Sequence, residues 1–283
     1  MLQNKNAIIY GAGGSLGAAV AIALAGAGAK LFLTGRNRHS VQITADKILA
    51  SGGKAEVDVV DAMDEKAISS HIGKVQQKAG TVDISFNAIG TDIVQNIPLI
   101  DMSVDDFMKP ASFALRTQFL TATAAAKKMM DQGSGVILCL TATPGGIGYP
   151  YTGGFGPACN AIESFVRNLA SEIGISGVRV VNIRSGGSPD SKVFKDAIIN
   201  HSEVMKTVLG KMEGDTMLKK LPLMADIANV AVFLSSEMAG KITGVTVDVT
   251  CGTTAGLNYR APAVASGRSN MPCRRSRGSV WTR

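Results

Sequence analysis

Apolar and polar positions along this chain follow two periods, and the two periods take turns. Ala7-Ile8-Ile9-Tyr10 is a short apolar run closed by a glycine cluster, and Leu16 to Ala27 follows with Ala, Leu and Val at helical spacing. That reads as strand, tight turn, helix. Lys30 to Thr34 is a second apolar run ending at Gly35-Arg36-Asn37, and Val41 to Ala50 is a helical stretch stopped by Ser51-Gly52-Gly53. Strands at Ala55 to Val60 and Val82 to Phe86 flank a helix at Glu65 to Lys78. The pattern then predicts a long helix over Phe113 to Met130 and a strand over Val136 to Leu140. A Gly-, Pro- and Tyr-rich loop covers Ala142 to Ala158, before a helix at Asn160 to Ile173 and a strand at Val178 to Ile183. A polar, helical insertion, Ser188 to Leu221, precedes a helix at Ile227 to Leu234 and a last strand at Val245 to Val249. Strands that are apolar on both faces and alternate with helices specify a parallel, doubly wound α/β sheet with right-handed crossovers.

With 283 residues, 46% of them hydrophobic, the chain can bury a large core without disulfides or a structural metal. The net charge of +7 suggests a nucleic-acid partner until its distribution is read. Six arginines (Arg260, Arg268, Arg274, Arg275, Arg277 and Arg283) fall after Thr253 with no acid among them, which leaves 23 basic and 22 acidic residues before it. A nearly neutral body offers no basic stripe for a phosphate backbone. Residues 255–283, without apolar periodicity, read as a basic, disordered tail beyond a single domain at 1–254. Cys139, Cys159, Cys251 and Cys273 have neither CxxC nor Cys/His spacing, so they read as reduced thiols in a cytoplasmic protein with no metal site. Ala7 to Ala29 is uncharged, but its six glycines argue against a membrane span or signal segment.

The first turn reads Gly11-Ala12-Gly13-Gly14-Ser15-Leu16-Gly17. Between a strand and a helix, such glycines let the backbone approach a pyrophosphate whose charge sits at the helix N-terminus. From about Lys5 to Gly252 the chain resembles the short-chain dehydrogenase/reductase family. Gly11 and Gly17 match that family's TGxxxGxG turn, with Tyr10 in place of the Thr and Ser15 in place of the middle Gly. Asn87-Ala88-Ile89-Gly90 stands for its NNAG, with Phe86 replacing the first Asn. Asp61-Ala62 sits where the family sets an acid against adenine, and Ile242-Thr243-Gly244 fits its C-terminal pattern. The resemblance implies a single-domain Rossmann-like fold, a nicotinamide dinucleotide and a homodimer or homotetramer joined through the two long middle helices. The residues it assigns to the dinucleotide are Gly11, Gly13, Gly14, Ser15, Leu16, Gly17, Arg36, Asn37, Asp61, Ala62, Asn87, Ala88 and Gly90. An NAD enzyme needs an acid at the end of the second strand to hold the ribose 2′-OH. Thr34-Gly35-Arg36-Asn37 has none, and Arg36 can pair with a 2′-phosphate, so NADP, with NADPH preferred over NADH, is the expected cofactor.

The family's catalytic Asn, Ser, Tyr and Lys are where this chain departs. Overlaying the helix Cys159 to Ala170 on the Lys-bearing helix puts Cys159 at the Lys and Phe155 at the Tyr. Ala142 then falls at the Ser, and Ala114 at the Asn of the long helix. No lysine occurs between Lys128 and Lys192, so no YxxxK can be built in any register. The family's Tyr is a general acid whose pKa of about 10 is lowered by a neighbouring ammonium. Phe155 and Cys159 supply neither part, and general acid catalysis is worth about 10²–10⁴-fold.

Tyr149 and Tyr151, in the loop that would line the substrate pocket, are the possible substitute donors. Cys159 reads as a small buried hydrophobe, and Glu163, one turn on, as a subunit-packing residue. The insertion 188–221 sits where the family carries its substrate lid, and its apolar residues point to a partly hydrophobic small-molecule substrate. Three functions follow. The first is an NADP(H)-dependent oxidoreductase reducing an activated C=C or C=N bond. The second is a catalytically silent nucleotide-binding subunit with a structural or regulatory role. The third is a non-redox isomerase or cyclase.

Overall fold

The computed structural model describes residues 1–255. The expected tail lies outside the described residues, apart from its first residue, Ala255. Seven parallel strands form one sheet in the order β3-β2-β1-β4-β5-β6-β7. They are β1 (Asn6–Tyr10), β2 (Lys30–Gly35), β3 (Lys54–Val59), β4 (Ile84–Asn87), β5 (Gly135–Ala142), β6 (Val178–Ser185) and β7 (Thr246–Val249). The order reverses between β1 and β4, which opens a crevice at the carboxyl ends of the strands, where ligands of such sheets bind.

The helices are split between the two faces. On one lie α1 (Ser15–Gly26), α2 (Arg38–Ala50) and α8 (Met224–Ser235), packing Val20, Leu24, Ile48 and Leu234 on the sheet. On the other lie α3 (Glu65–Ala79), α4 (Val104–Gln132) and α5 (Phe155–Ile173), packing Ile68, Ala125, Met129 and Val166. Strands covered on both sides carry runs such as Ala7-Ile8-Ile9, every residue of which is fully buried. The helix starts have local causes. Asn37 Oδ1 accepts the Ser40 N–H at 3.2 Å, Asp64 Oδ1 the Lys66 N–H at 2.8 Å, and Ser103 Oγ the Asp106 N–H at 3.1 Å.

Two expected boundaries are corrected. The long helix begins at Val104, not Phe113, because Ser103 caps it and Asp105 and Asp106 favour its first turn, so it runs through Pro110. The loop after β5 ends at Gly154 rather than Ala158, because α5 begins at Phe155, and Thr143–Gly145 within it is a 3-10 turn. Pro157 sits in the first turn of α5, where an N–H would have no helical partner. The insertion is two helices, α6 (Lys192–Asn200) and α7 (Ser202–Asp215). Among the described residues no helix is long and apolar enough to cross a membrane.

A buried imidazole packs edge-on against Tyr10 of β1. His71 of α3 is 3% exposed, neither ring nitrogen is hydrogen-bonded among the described residues, and its Nε2 lies 3.6 Å from Asp58 Oδ2. Burial pushes its pKa down, Asp58 pulls it up and Lys74 pushes it down, with a net depression. The unfolded chain therefore binds this proton more readily, so stability present above the ordinary imidazole range is lost as the pH falls through it. Urea midpoints should drop from pH 7.5 to pH 5.5, and His71→Leu should make that drop smaller. An unchanged slope in the variant would contradict the assignment.

Candidate functional site

The crevice at the strand ends holds a cavity of about 560 Å³. The β1–α1 turn forms one wall through Gly11, Gly13 and Gly14. These glycines are required by close approach as well as by turn geometry. Gly11 has φ +77°, and a Cβ there would lie 2.9 Å from the Ala88 carbonyl oxygen. A Cβ on Gly17 would come within 2.3 Å of the Gly11 carbonyl oxygen, and one on Gly13 within 2.3 Å of Ser40 Oγ. No side chain caps α1, so the N–H groups of its first turn are left for an anion.

The end of β2 supplies the next wall. Thr34, Gly35, Arg36 and Asn37 line the cavity, with Ser40 from α2 beside them. Arg36 is exposed and takes part in no salt bridge among the described residues. Val60, Asp61 and Ala62 follow β3, Ala88, Ile89 and Gly90 follow β4, and Phe113 and Thr117 come from α4. Tyr10 also lines the cavity, with its hydroxyl buried and unpartnered. Burial pushes the pKa of that phenol far up, so it is neutral. Most expected dinucleotide residues are thus brought together on one cavity. Ser15, Leu16, Gly17 and Asn87 stand outside its lining. The Asn87 side chain is spent on the fold, donating to Thr121 Oγ1 at 3.0 Å and accepting the Ile89 N–H at 3.0 Å. Gly17 acts through the close approach to Gly11. Glycine cradle, open helix end and cavity together fit a dinucleotide pyrophosphate.

Beyond the cavity, β5, α5 and β6 meet around a buried ion pair. Glu163 is 5% exposed and, contrary to the packing role expected of it, takes both forks of Arg184. Arg184 Nε donates to Glu163 Oε1 at 3.0 Å and Nη2 to Oε2 at 2.6 Å, while Nη1 donates to Asp248 Oδ2 at 3.0 Å. Thr141 Oγ1 donates to Glu163 Oε1 at 3.0 Å and accepts Asn182 Nδ2 at 2.7 Å. Burial would raise the Asp248 carboxyl, but hydrogen bonds from Thr250 and Thr254 and the Arg184 charge hold it below the usual range. This cluster lies against the loop after β5. A Cβ on Gly145 would meet Glu163 Oε1 at 2.7 Å and Cys159 Cβ at 2.9 Å, and one on Gly146 would meet Arg184 Nη1 at 2.7 Å. An arginine in a central strand signals such a partner from sequence, because a buried charge must be paired.

Cys159 is 1% exposed, and burial pushes its thiol up to about 11. Ala114 is 8% exposed, whereas Ala142 and Phe155 are half-buried. Tyr149 and Tyr151 are exposed, at 40% and 58%. Tyr151 adopts φ +62°, and its carbonyl accepts the Asn96 N–H at 2.9 Å. The Tyr149 phenol is raised by partial burial and by the Asp215 carboxylate of α7, which makes it a poorer acid.

A family model described as enoyl-(acyl carrier protein) reductase matches residues 11–254. The 7α-hydroxysteroid dehydrogenase of Escherichia coli (strain K12) is 29% identical over 257 residues, covering 91% of this chain and 97% of that one. The crystal structure of levodione reductase superposes with a TM-score of 0.84 at 25% identity, covering 91% of this chain and 100% of that one. A short-chain dehydrogenase/reductase from Burkholderia xenovorans does so at 0.82 and 25%, covering 91% and 99%. Sheet order, glycine turn and these likenesses agree: the chain belongs to the short-chain dehydrogenase/reductase family.

The ion pair makes a stability prediction. Glu163→Ala leaves Arg184 buried with only Asp248 beside it and should cost about 3 kcal/mol in denaturant unfolding. Exchanging both partners for apolar residues, Glu163→Leu with Arg184→Met, should cost less than the single change. Equal or greater loss in the double variant would show that the pair stabilises by more than mutual compensation.

Proposed function

We propose that this chain binds NADP(H) and reduces an activated C=C or C=N bond at an active site that departs from the family's. The observation that carries the cofactor choice is Arg36, lining the cavity at the end of β2, where an NAD enzyme would need an acid. A guanidinium there can hold a 2′-phosphate by charge-assisted hydrogen bonds. The bond-type choice rests on Ala114, Ala142, Phe155 and Cys159 as the occupants of the tetrad positions. None of these can give up a proton near neutral pH, since three carry none to give and the Cys159 thiol is pushed up to about 11.

The nicotinamide, when bound, supplies a hydride. The chain's own part is to bind and orient. The glycine turn and the first turn of α1 hold the pyrophosphate, and Asp61, Ala62 and Ala88 border the adenine side. Hydride addition to a polarised C=C or C=N bond builds charge that the substrate itself delocalises, so water can return the proton afterwards. A ketone needs its oxygen protonated as charge develops, which is the contribution missing here. The same reading takes a homodimer or homotetramer joined through α4 and α5, where Phe119 is 51% exposed and packs at a tilt against Phe165.

A second reading, a silent nucleotide-binding subunit, draws on the closed ion pair of Glu163 and Arg184 next to the tetrad positions. Both readings share the cofactor. Titration followed by reduced-nicotinamide fluorescence should show NADPH binding at least tenfold tighter than NADH, roughly the worth of one charged hydrogen bond. Arg36→Ala should erase the preference by weakening NADPH alone. Equal affinities in the unaltered protein, or a preference that survives Arg36→Ala, would contradict the proposal.

A further inference from the structure

The cavity described above ends abruptly. Among the described residues that line it, none belongs to α6, α7 or the ends of β5 and β6. The segment after β6 accounts for this. The backbone N–H of Lys192, the first residue of α6, donates to Ser15 Oγ of α1 at 3.0 Å. Phe194 of α6 and Met212 of α7 lie over Gly187, where a Cβ would meet Phe194 Cζ at 2.9 Å and Met212 Cε at 2.6 Å. Ser188 next to it is 3% exposed, and its hydroxyl has no partner among the described residues. The segment is therefore tied to the start of α1 by one hydrogen bond, and Phe194 and Met212 pack over the chain as it leaves β6.

We propose that this latch divides the cleft into two halves that fill separately, so that a nicotinamide-free nucleotide, an adenosine 2′,5′-bisphosphate, is a full-strength ligand of this protein. The inference rests on the NADP(H) reading of the open half and goes beyond it. A ligand that stops at the 5′-phosphate meets only the preformed cavity. A ligand that continues to a second ribose and ring must break the Lys192–Ser15 bond and lift Phe194 and Met212. Its apparent affinity is reduced by the fraction of molecules with the lid displaced.

Calorimetric titration of the full chain with adenosine 2′,5′-bisphosphate, NADPH, 5′-AMP and NADH tests this. The bisphosphate and NADPH should bind within about threefold of each other. Phe194→Ala combined with Met212→Ala should tighten NADPH by about fivefold or more and leave the bisphosphate unchanged, because only the dinucleotide has to displace the lid. NADPH binding more than about thirtyfold tighter than the bisphosphate would overturn the division while leaving the NADP(H) reading intact, and the unaltered protein alone decides this. A variant that shifts both ligands by one factor would overturn the division equally. If 5′-AMP matches the bisphosphate and NADH matches NADPH, the 2′-phosphate reading fails. The NADH-to-AMP ratio then judges the division, with near equality upholding it.

Discussion

The bidentate pair between Glu163 and Arg184 is the contact on which the reacting end of this molecule depends. Neither charge could stay inside alone, and each is satisfied by the geometry of the other's element. Through the pair and its neighbours, β5 contributes Thr141, β6 Asn182 and Arg184, α5 Glu163, and the end of the sheet Asp248 with Thr250 and Thr254. Two glycines of the loop after β5 are required by this cluster. Gly145 and Gly146 leave room for Glu163 and Arg184, and a side chain at either would collide with them. Charge is plentiful here, but it is spent on internal pairs, two carboxylates sharing one guanidinium.

The nucleotide end follows the opposite logic. Its groups are left open rather than paired. The first turn of α1 has no side-chain cap, Arg36 reaches the cavity edge, and Gly11 and Gly17 hold β1, α1 and the end of β4 in contact through backbone alone. One half of the chain thus leaves its donors open toward a cavity, and the other pairs its charges internally. The segment after β6 joins them, since the Lys192 N–H donates to Ser15 of α1.

Much of this was legible in the sequence. The alternation of apolar runs with helical stretches placed every strand to within a residue or two, and for the central strands the reason is burial on both faces, which leaves no polar register to blur them. The cavity residues were legible for a related reason: glycine clusters and strand ends are local features. What stayed hidden was contact between distant segments. The helix expected from Phe113 starts at Val104, capped by Ser103, and runs through Pro110. Gly154 looks like loop until the Phe107 carbonyl oxygen is found 1.8 Å from where its Cβ would be, so α4 and α5 touch backbone to backbone. Glu163 on its own reads as a surface acid of an interface helix. Only the register of β6 beside β5 brings Arg184 under it. The lid latch joins residues 177 positions apart, which no local pattern encodes.

The proposed site presents a hydride but cannot protonate an alkoxide, and NADPH oxidation with two substrates of one carbon skeleton separates these abilities: a saturated ketone and its α,β-unsaturated counterpart reduced at the C=C bond. Turnover of the unsaturated compound is expected, with a ketone rate lower by at least about 10²-fold, the smallest factor expected for a missing general acid. Ketone reduction at a comparable rate would contradict it, and would mean that a proton donor is supplied from outside the positions occupied by Ala114, Ala142, Phe155 and Cys159.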